Sequence, residues 1–585
     1  MSSALVICGA LHVKDPALSE SVPNSSAMPK GIVEPRPGIM VPLQEKVFRR
    51  IWISSLFSNL AQQMQTVAAA WTMLQITHKA ELVAMVQTAS MLPIMLLAIT
   101  AGAIADMYDR RRVALAALFM CVSGTGLLAF VAATGLISPP LILLCCFIAG
   151  SGISLYSPAW QASAVEIVGA RSLAAAVALY ALSANAARSV GPALGGIIIA
   201  ASGTVAAFTV NLFLYIPIIV ALFLWKRQAA PPRLPPERLD RAMLAGLRYV
   251  RRSPPIRRVI LRSLVTSTGV AAVYSMTPLV ARNILGGGPG TYGLLLGAFG
   301  VGAVAFGLTI TRARERFSSE TIVRFCSLLL GGAILIVAYS PYVALTVLAM
   351  TGAGGAWMVA VSTFNVSVQL GSPRWVSGRA LATFQAMVSG GMAGGALLWG
   401  HLAEAYGVPT ALSIAGILMV LSPLLGTALR MPDAELAEAA PPSSSDPVIK
   451  MALTGRSGPV VMEIEYRVTG EDARAFYHAM RDLRRSRERN GAFDVTLARD
   501  ISDPELWVER FHYPTWHDYL RARDRPTVDD RALSDRAVVF HTGTEPPRVR
   551  RMLERPTGSV RWREDALDPG ETISVPVTLT TFGSS

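Results

Sequence analysis

The chemistry open to this chain rests less on nucleophiles or acids than on a few charges and glycines lodged in apolar surroundings. Arg188 stands deep inside a long apolar run. A charge at such depth is costly, so it faces a cavity, an anionic ligand or a polar partner, or else reaches back to an interface. One turn later comes Gly191-Pro192-Ala193-Leu194-Gly195-Gly196. Proline removes a backbone hydrogen bond and bends a helix, while glycines let a second helix approach closely. Asp106, with Gly102 before it and Arg110 and Arg111 after it, marks a short polar break between apolar runs. An acid there can bond to the orphan N–H groups of a facing helix. The arginines can pair with a neighbouring acid, for which Glu166 is the candidate. The plainer readings are ordinary loop charges and small-residue packing.

Other polar side chains punctuate the apolar runs: Asn59, Gln62, Gln63, Gln87, Gln161 and Asn365, with the aromatics Tyr156 and Trp160. Together they are candidates to line one cavity, Tyr156 and Trp160 stacking on an aromatic ligand. For each of them, hydrogen bonding between helices is an equal alternative. No Asp or Glu falls near the centre of an apolar run, so no obvious proton carrier is supplied there. His512-Tyr-Pro-Thr-Trp-His517 lacks a carboxylate pattern, and neither a zinc signature, a Walker loop nor a Gly-x-Ser-x-Gly element occurs. No metal and no cofactor is expected.

The elements that must position these residues follow from composition. Of 585 residues, 52% are hydrophobic and 16% charged, with mean hydropathy +0.44, a balance foreign to a soluble multidomain enzyme. The net charge of +14 lies wholly in residues 1–449, whereas 450–585 hold 22 basic and 22 acidic residues. Twelve runs have the ~20 apolar residues that a spanning helix needs: 51–76, 81–105, 112–135, 139–165, 173–201, 204–225, 259–282, 291–311, 321–339, 341–368, 380–402 and 408–429. If the segment before the first run is cytoplasmic, inner loops and ends collect 24 basic residues and outer loops only Lys79 and Arg282. That asymmetry records membrane topology rather than nucleic-acid binding, and it puts both termini in the cytoplasm.

The expected organisation is a tail (1–45), a six-helix half (46–225), a basic cytoplasmic loop (226–258), a second six-helix half (259–430) and a Pro/Ser/Ala/Glu-rich linker (431–458). A small α+β domain (459–545) and an irregular end (546–585) follow. The sequence at 49–56 resembles that at 257–264, and the glycines at 191–196 have a counterpart at 390–395, which suggests a duplicated unit. In the 459–545 domain, the C-terminal tail, alternation at Val460, Met462, Ile464, Tyr466 and Val468 predicts a strand. The stripe Phe476, Ala479, Met480, Leu483 predicts a helix over 471–490. Strands near 493–499 and 506–513 and a helix from Thr515 complete a β-α-β-β-α order. The five cysteines show no pairing or metal spacing and read as small buried hydrophobes.

Gly102-Ala-Ile-Ala-Asp106-Met107-Tyr-Asp109-Arg110-Arg111 resembles the loop of the major facilitator superfamily that reads Gly-x-x-x-Asp-Arg/Lys-x-Gly-Arg-Arg/Lys, with Met107 and Asp109 as departures. Gly191-Pro192-x-x-Gly195-Gly196 resembles the end of that superfamily's exporter-associated motif. The tail, through Glu465-Tyr466-Arg467-Val468, Trp507-Val508-Glu509-Arg510-Phe511 and Thr515-Trp516-His517-Asp518-Tyr519-Leu520, is similar to the extension of the bacterial transmembrane secretion effector branch, which is related to enterobactin exporters. Its element order also resembles ferredoxin-like modules. The resemblance implies an all-α membrane protein of twelve helices in two halves, with a ferredoxin-like α+β domain, in the bacterial inner membrane. It implies a secondary transporter that exports a siderophore, drug or other hydrophobic metabolite by alternating access, with proton coupling and self-association through the tail. An importer of the same fold and a membrane-anchored enzyme are the rivals. The topology has a direct check: a fluorescent-protein reporter, active only in the cytoplasm, should light up when fused within 226–258, and a silent fusion there would contradict it.

Overall fold

The computed structural model describes residues 40–77, 79–225, 239–432, 449–451, 453–524 and 527–554. Most of the expected N-terminal tail, most of the linker and residues 555–585 lie outside them.

A chain surrounded by lipid must satisfy every backbone N–H and C=O internally, so its apolar runs become helices. The first half comprises α1 Lys46–Ile76, α2 Ala80–Met107, α3 Arg110–Ala133, α4 Pro139–Leu214 and α5 Ile216–Phe223. After α6, Leu239–Arg252, the second half comprises α7 Pro254–Leu279, α8 Pro289–Gly307, α9 Ile310–Arg316, α10 Ser319–Tyr339, α11 Val343–Leu370, α12 Arg374–Tyr406, α13 Val408–Leu421 and α14 Leu425–Ala428. Among the described residues, ten helical stretches are long and apolar enough to cross a membrane. Bulky apolar side chains are left bare on the outside, Phe119 at 71% and Leu348 at 69% exposure. That is costly in water and natural in lipid. Cys121, Cys145, Cys146 and Cys326 are buried free thiols.

α4 departs from the expected breaks near 166–172 and at 202–203: it is helical over all 76 residues. Straight, it would run about 114 Å, far beyond a bilayer's ~30 Å core. Its contacts show that it folds back. Near Cys145, Ala149 and Gly152 it packs antiparallel to α3, against Gly124, Cys121 and Ala117. From 179 to 195 it runs parallel to α1: Trp52 Nε1 donates to the Leu179 carbonyl, Asn59 Nδ2 to Ser183 Oγ, and Gly195 abuts Met64. Trp160 stacks on Phe48, which also packs with Leu179, so residues far apart along α4 meet at one end of the bundle. A second reversal falls at Gly203, whose φ of +81° suits glycine alone among common residues. The run Ala175–Phe223, 49 residues long, therefore contains a turn.

The two halves meet along two antiparallel pairs, α2 with α12 and α4 with α8. We call the end that carries the start of α1, the α2–α3 link and α6 the tail end, and the opposite one the far end.

The 226–258 segment is not all loop. From Leu239 to Arg252 it is the strongly amphipathic helix α6, and α7 begins at Pro254. Gly246 lies against the Arg379 side chain of α12, while Tyr249 and Val250 are buried. The basic side of α6 meets the tail domain: Arg252 pairs with Glu488, Arg248 reaches the Gly491 carbonyl at 3.5 Å, and Arg489 lies over the Tyr249 ring at 5.8 Å.

The tail domain is α+β. Its elements are β1 Val460–Arg467, α15 Ala473–Arg489, β2 Phe493–Arg499, β3 Leu506–Tyr513, α16 Trp516–Asp524, α17 Val528–Val538 and β4 Arg548–Leu553. The sheet order is β2-β3-β1-β4, antiparallel throughout. The striped residues Met462, Ile464, Tyr466, Phe476, Met480 and Leu483 form its core with Phe511 and Tyr513. β4 corrects the expectation of an irregular end after 545. Three arginines in six residues hide its alternation, yet two are matched across the sheet: Arg548 lies opposite Glu465 and Arg550 opposite Glu463, with Arg550 Nη2 3.0 Å from Glu465 Oε1, while Arg551 Nε donates to the Tyr519 hydroxyl at 2.8 Å.

The sequence pattern does not announce α17. Thr527 and Asp530 close its first turn as a reciprocal capping box. Asp530 further accepts from Ser486, Arg489 and Asn490 of the neighbouring helix end. Burial alone would raise its carboxyl, but the Arg489 guanidinium, the Ser486 hydroxyl and the Thr527 N–H hold it below the ordinary aspartate range. The sign follows: a depressed folded value stabilises above the unfolded value of ~3.9, and that stability is lost as pH falls through the folded value. Asp530→Ala strands Arg489 and removes the carboxylate half of the capping box, so the tail domain should lose about 3 kcal/mol. Hydrogen exchange of the 460–554 amides in the full-length protein measures this, and unchanged protection would contradict the network's role.

Candidate functional site: the central cavity and its two ends

A cavity of about 1460 Å³ lies between the halves. Apart from Trp160, every side chain expected to line it does so: Asn59, Gln62 and Gln63 from α1, Gln87 from α2, Tyr156, Gln161 and Arg188 from α4, and Asn365 from α11. They converge because polar residues within apolar helices turn toward the one interior surface that is not lipid. Some also tie helices together, as Asn59 does through its bond to Ser183.

Trp160 is a correction. At 2% exposure its indole packs on Phe48, ring centroids 6.4 Å apart, where α4 folds back beside α1. Its bulk serves that packing and not the cavity wall.

The far end is closed. A Cβ built on Gly196 would stand 2.6 Å from the Pro289 carbonyl oxygen, and one on Gly293 2.7 Å from the Pro192 carbonyl oxygen. At Gly300 a Cβ would lie 2.4 Å from Ser189 Cα. α4 and α8 thus approach at a separation that only missing side chains permit. Gly191 and Gly195 turn to α1 instead, against Gln63 and Met64, so Pro192 stands between two tight contacts. The α2–α12 pair is joined alike: Gly400 meets Ala84, Thr88 Oγ1 donates to the Ala393 carbonyl at 2.9 Å, and Glu404 accepts the Ala80 N–H at 2.6 Å. Arg282 donates to the Leu74 carbonyl at 2.9 Å, and Trp71 stacks on Tyr292.

At the tail end the walls diverge. The cavity continues there past Gly102, Ala105, Tyr180, Arg314, Gly378 and Arg379. Gly102 has open space beside it, with nothing near a Cβ built on it. The backbone of Asp106 lies in the last turn of α2, but its side chain and that of Glu166 lie outside the described residues. Arg111 has carbonyl partners: its Nε donates to the Leu222 carbonyl at 2.9 Å and its Nη2 to the Phe223 carbonyl at 2.6 Å, with the guanidinium over the Phe223 ring. It caps the end of α5, where carbonyls lack helical partners and the dipole favours a cation. Asp109, a departure from the family loop, caps α3 by accepting the Arg112 N–H at 2.9 Å. Arg110 begins α3.

Sequence reasoning missed the matching device of the second half. Arg262, 4% exposed on α7, pairs with Glu320 at the start of α10, which also takes Arg324 and the Met431 N–H. It missed the α8 glycines too, although Gly293, Gly297 and Gly300 recur at helical spacing and would have flagged a packing seam.

The profile of the family described as "Transmembrane secretion effector" matches residues 38–557. The chain belongs to that family. It is a major facilitator transporter and not an enzyme. The staphyloferrin A transporter of Staphylococcus aureus (strain NCTC 8325 / PS 47) is 22% identical over 62% of this chain and 91% of that protein. The uncharacterised MFS-type transporter YfiS of Bacillus subtilis (strain 168) is 26% identical over 57% of this chain and 81% of its own length. The multidrug efflux pump Tap of Mycolicibacterium fortuitum is 23% identical over 61% of this chain and 89% of its own. Among solved structures, the nucleoside transporter NupG superposes with a TM-score of 0.54 at 12% identity, covering 66% of this chain and 98% of that one. That likeness concerns the helical fold alone.

The α4–α8 seam of this family member is open to test. A Cβ on Gly297 would sit 3.4 Å from the Ala193 Cβ, close to disulfide range, so cysteines placed at both positions should cross-link on oxidation. Adding Gly293→Val, a clash of ~1.4 kcal/mol or more, should cut the cross-linked fraction about tenfold. An undiminished cross-link would refute the seam.

Proposed function

We propose that this protein is a proton-driven exporter of a small molecule, working by alternating access in the bacterial inner membrane. The observation that carries the reading is the cavity open at the tail end and shut by glycine contacts at the far end. A single binding space reached from one side, with a seam that can part, is what a two-state carrier requires. The fold then has twelve spans in two halves: the ten apolar stretches, with Ala175–Phe223 counted as two because of the turn at Gly203, and α1, whose 31 residues suffice in length. The basic residues of α6 and the α2–α3 link favour a cytoplasmic tail end and cytoplasmic termini.

Outward direction is supported by the glycine–proline element at the seam and by the similarity to a multidrug efflux pump. A siderophore or another amphipathic metabolite is the substrate class, supported by the similarity to a staphyloferrin A transporter. The loop Gly102, Asp106, Arg110 and Arg111, with Glu166, biases the inner gate, and Gly191, Pro192, Gly195 and Gly196 bias the outer one. The tail domain's order β2-β3-β1-β4 is that of a ferredoxin-like sheet, a module suited to self-association.

Inverted membrane vesicles test the direction. With an imposed proton gradient, acid inside, they should accumulate substrate, and an uncoupler should abolish the accumulation. Accumulation only in right-side-out vesicles would favour the importer. In the same assay Asp106→Asn should lower the rate about tenfold, the factor that about 1.4 kcal/mol of gate bias is worth, at unchanged protein level; a normal rate would remove the loop from the gate.

A further inference from the structure

We infer that the central cavity is built for an anion: its ligand presents carboxylate, phosphate or similarly acidic oxygens to Arg188, with Arg314 at the tail-end mouth. The inference deepens the exporter reading and rests on it for the ligand's passage across the membrane.

The argument is one of charge balance. Elsewhere among the helices of the two halves, arginines meet explicit partners. Arg262 faces Glu320, Arg111 faces two helix-end carbonyls and Arg282 faces the Leu74 carbonyl. The cavity breaks this habit. Arg188 lies within an apolar span, and its hydrogen bond goes to a neutral amide, Asn185 Oδ1, at 3.2 Å. Arg314 lines the same cavity with its Nη2 buried and unpartnered among the described residues. The described residues that line the cavity include no Asp or Glu.

An uncompensated charge is tolerable while the cavity is open and water reaches it. Closing the tail end would strip that water, and a desolvated cation without a counter-charge is costly. The closed, loaded state therefore needs a negative charge that the described cavity wall does not supply. The ligand supplies it, so anion binding and closure of the tail end are the same event energetically. A guanidinium's planar fork suits bidentate oxygen pairs, and the amides of Gln62 and Gln63 can take the remaining polar groups. Cationic amphiphiles, by the same balance, are repelled.

The test compares two dyes with the same kind of tricyclic core, anionic carboxyfluorescein and cationic rhodamine 6G, on the full-length protein in nanodiscs by fluorescence polarisation. Carboxyfluorescein should bind at least about tenfold tighter. Arg188→Gln should weaken it about tenfold or more without weakening rhodamine binding, and Arg188→Lys should restore most of the loss. Equal binding of both dyes, binding of neither, a preference for the cation, or indifference to Arg188→Gln overturns the inference. Flux into proteoliposomes separates the two readings. If carboxyfluorescein binds as expected but no gradient moves it, the exporter reading fails and the anion site stands. If rhodamine is moved and carboxyfluorescein is not, transport stands and the anion site fails.

Discussion

Everything in this molecule depends on how closely two helix pairs approach at one end. α4 and α8 come together where Gly196, Gly293 and Gly300 leave backbone facing backbone, and α2 and α12 meet closely at Gly400, where a Cβ would stand 2.6 Å from the Ala84 Cβ. In lipid no hydrophobic force drives apolar helices together, so such seams depend on dispersion contacts and a few polar bonds. Their strength is therefore moderate by construction. A seam of that kind holds the far end shut without locking it, and its placement decides which end of the bundle the cavity faces.

Charge placement completes the design. Arg111, Arg282 and Arg262 each finish a helix end or answer an acid, fixing the ends of the rods while their middles remain apolar. α6 extends this fixing outward. It lies against Arg379 on one side and against the Glu488 and Gly491 region of α15 on the other. The tail domain is thereby seated on the helix that borders the cavity mouth, and any movement of α12 at that end is felt by both.

Much of this was legible in the sequence, for physical reasons that differ by element. Spanning helices announce themselves because lipid demands long apolar runs, and the cavity residues because amides such as Gln63 and Gln87 have nowhere else to go in such a run. The strands and main helix of the tail followed from alternation and stripe. Illegible features were those set by partners distant in sequence. The charged strand β4 reads as loop until Glu463 and Glu465 stand opposite. Trp160 resembled a ligand platform until Phe48 covered it. Arg111 meets the Leu222 and Phe223 carbonyls, partners that no sequence pattern marks. α6 was hidden by the prolines before it, although its two faces were already written in its residues.

The central claim is that the halves rock as units, so that the far end opens only as the tail end closes. Spin labels can read both ends: Leu136 and Tyr342 report the far end, Tyr108 and Phe317 the tail end, and all four side chains are exposed. Pulsed distance measurements in nanodiscs would compare the parent protein with Gly196→Val, whose side chain cannot fit beside the Pro289 carbonyl. The account predicts opposite shifts, the far-end pair lengthening and the tail-end pair shortening in the same molecules. A far-end change with the tail-end distance fixed, or no change at either end, would contradict it.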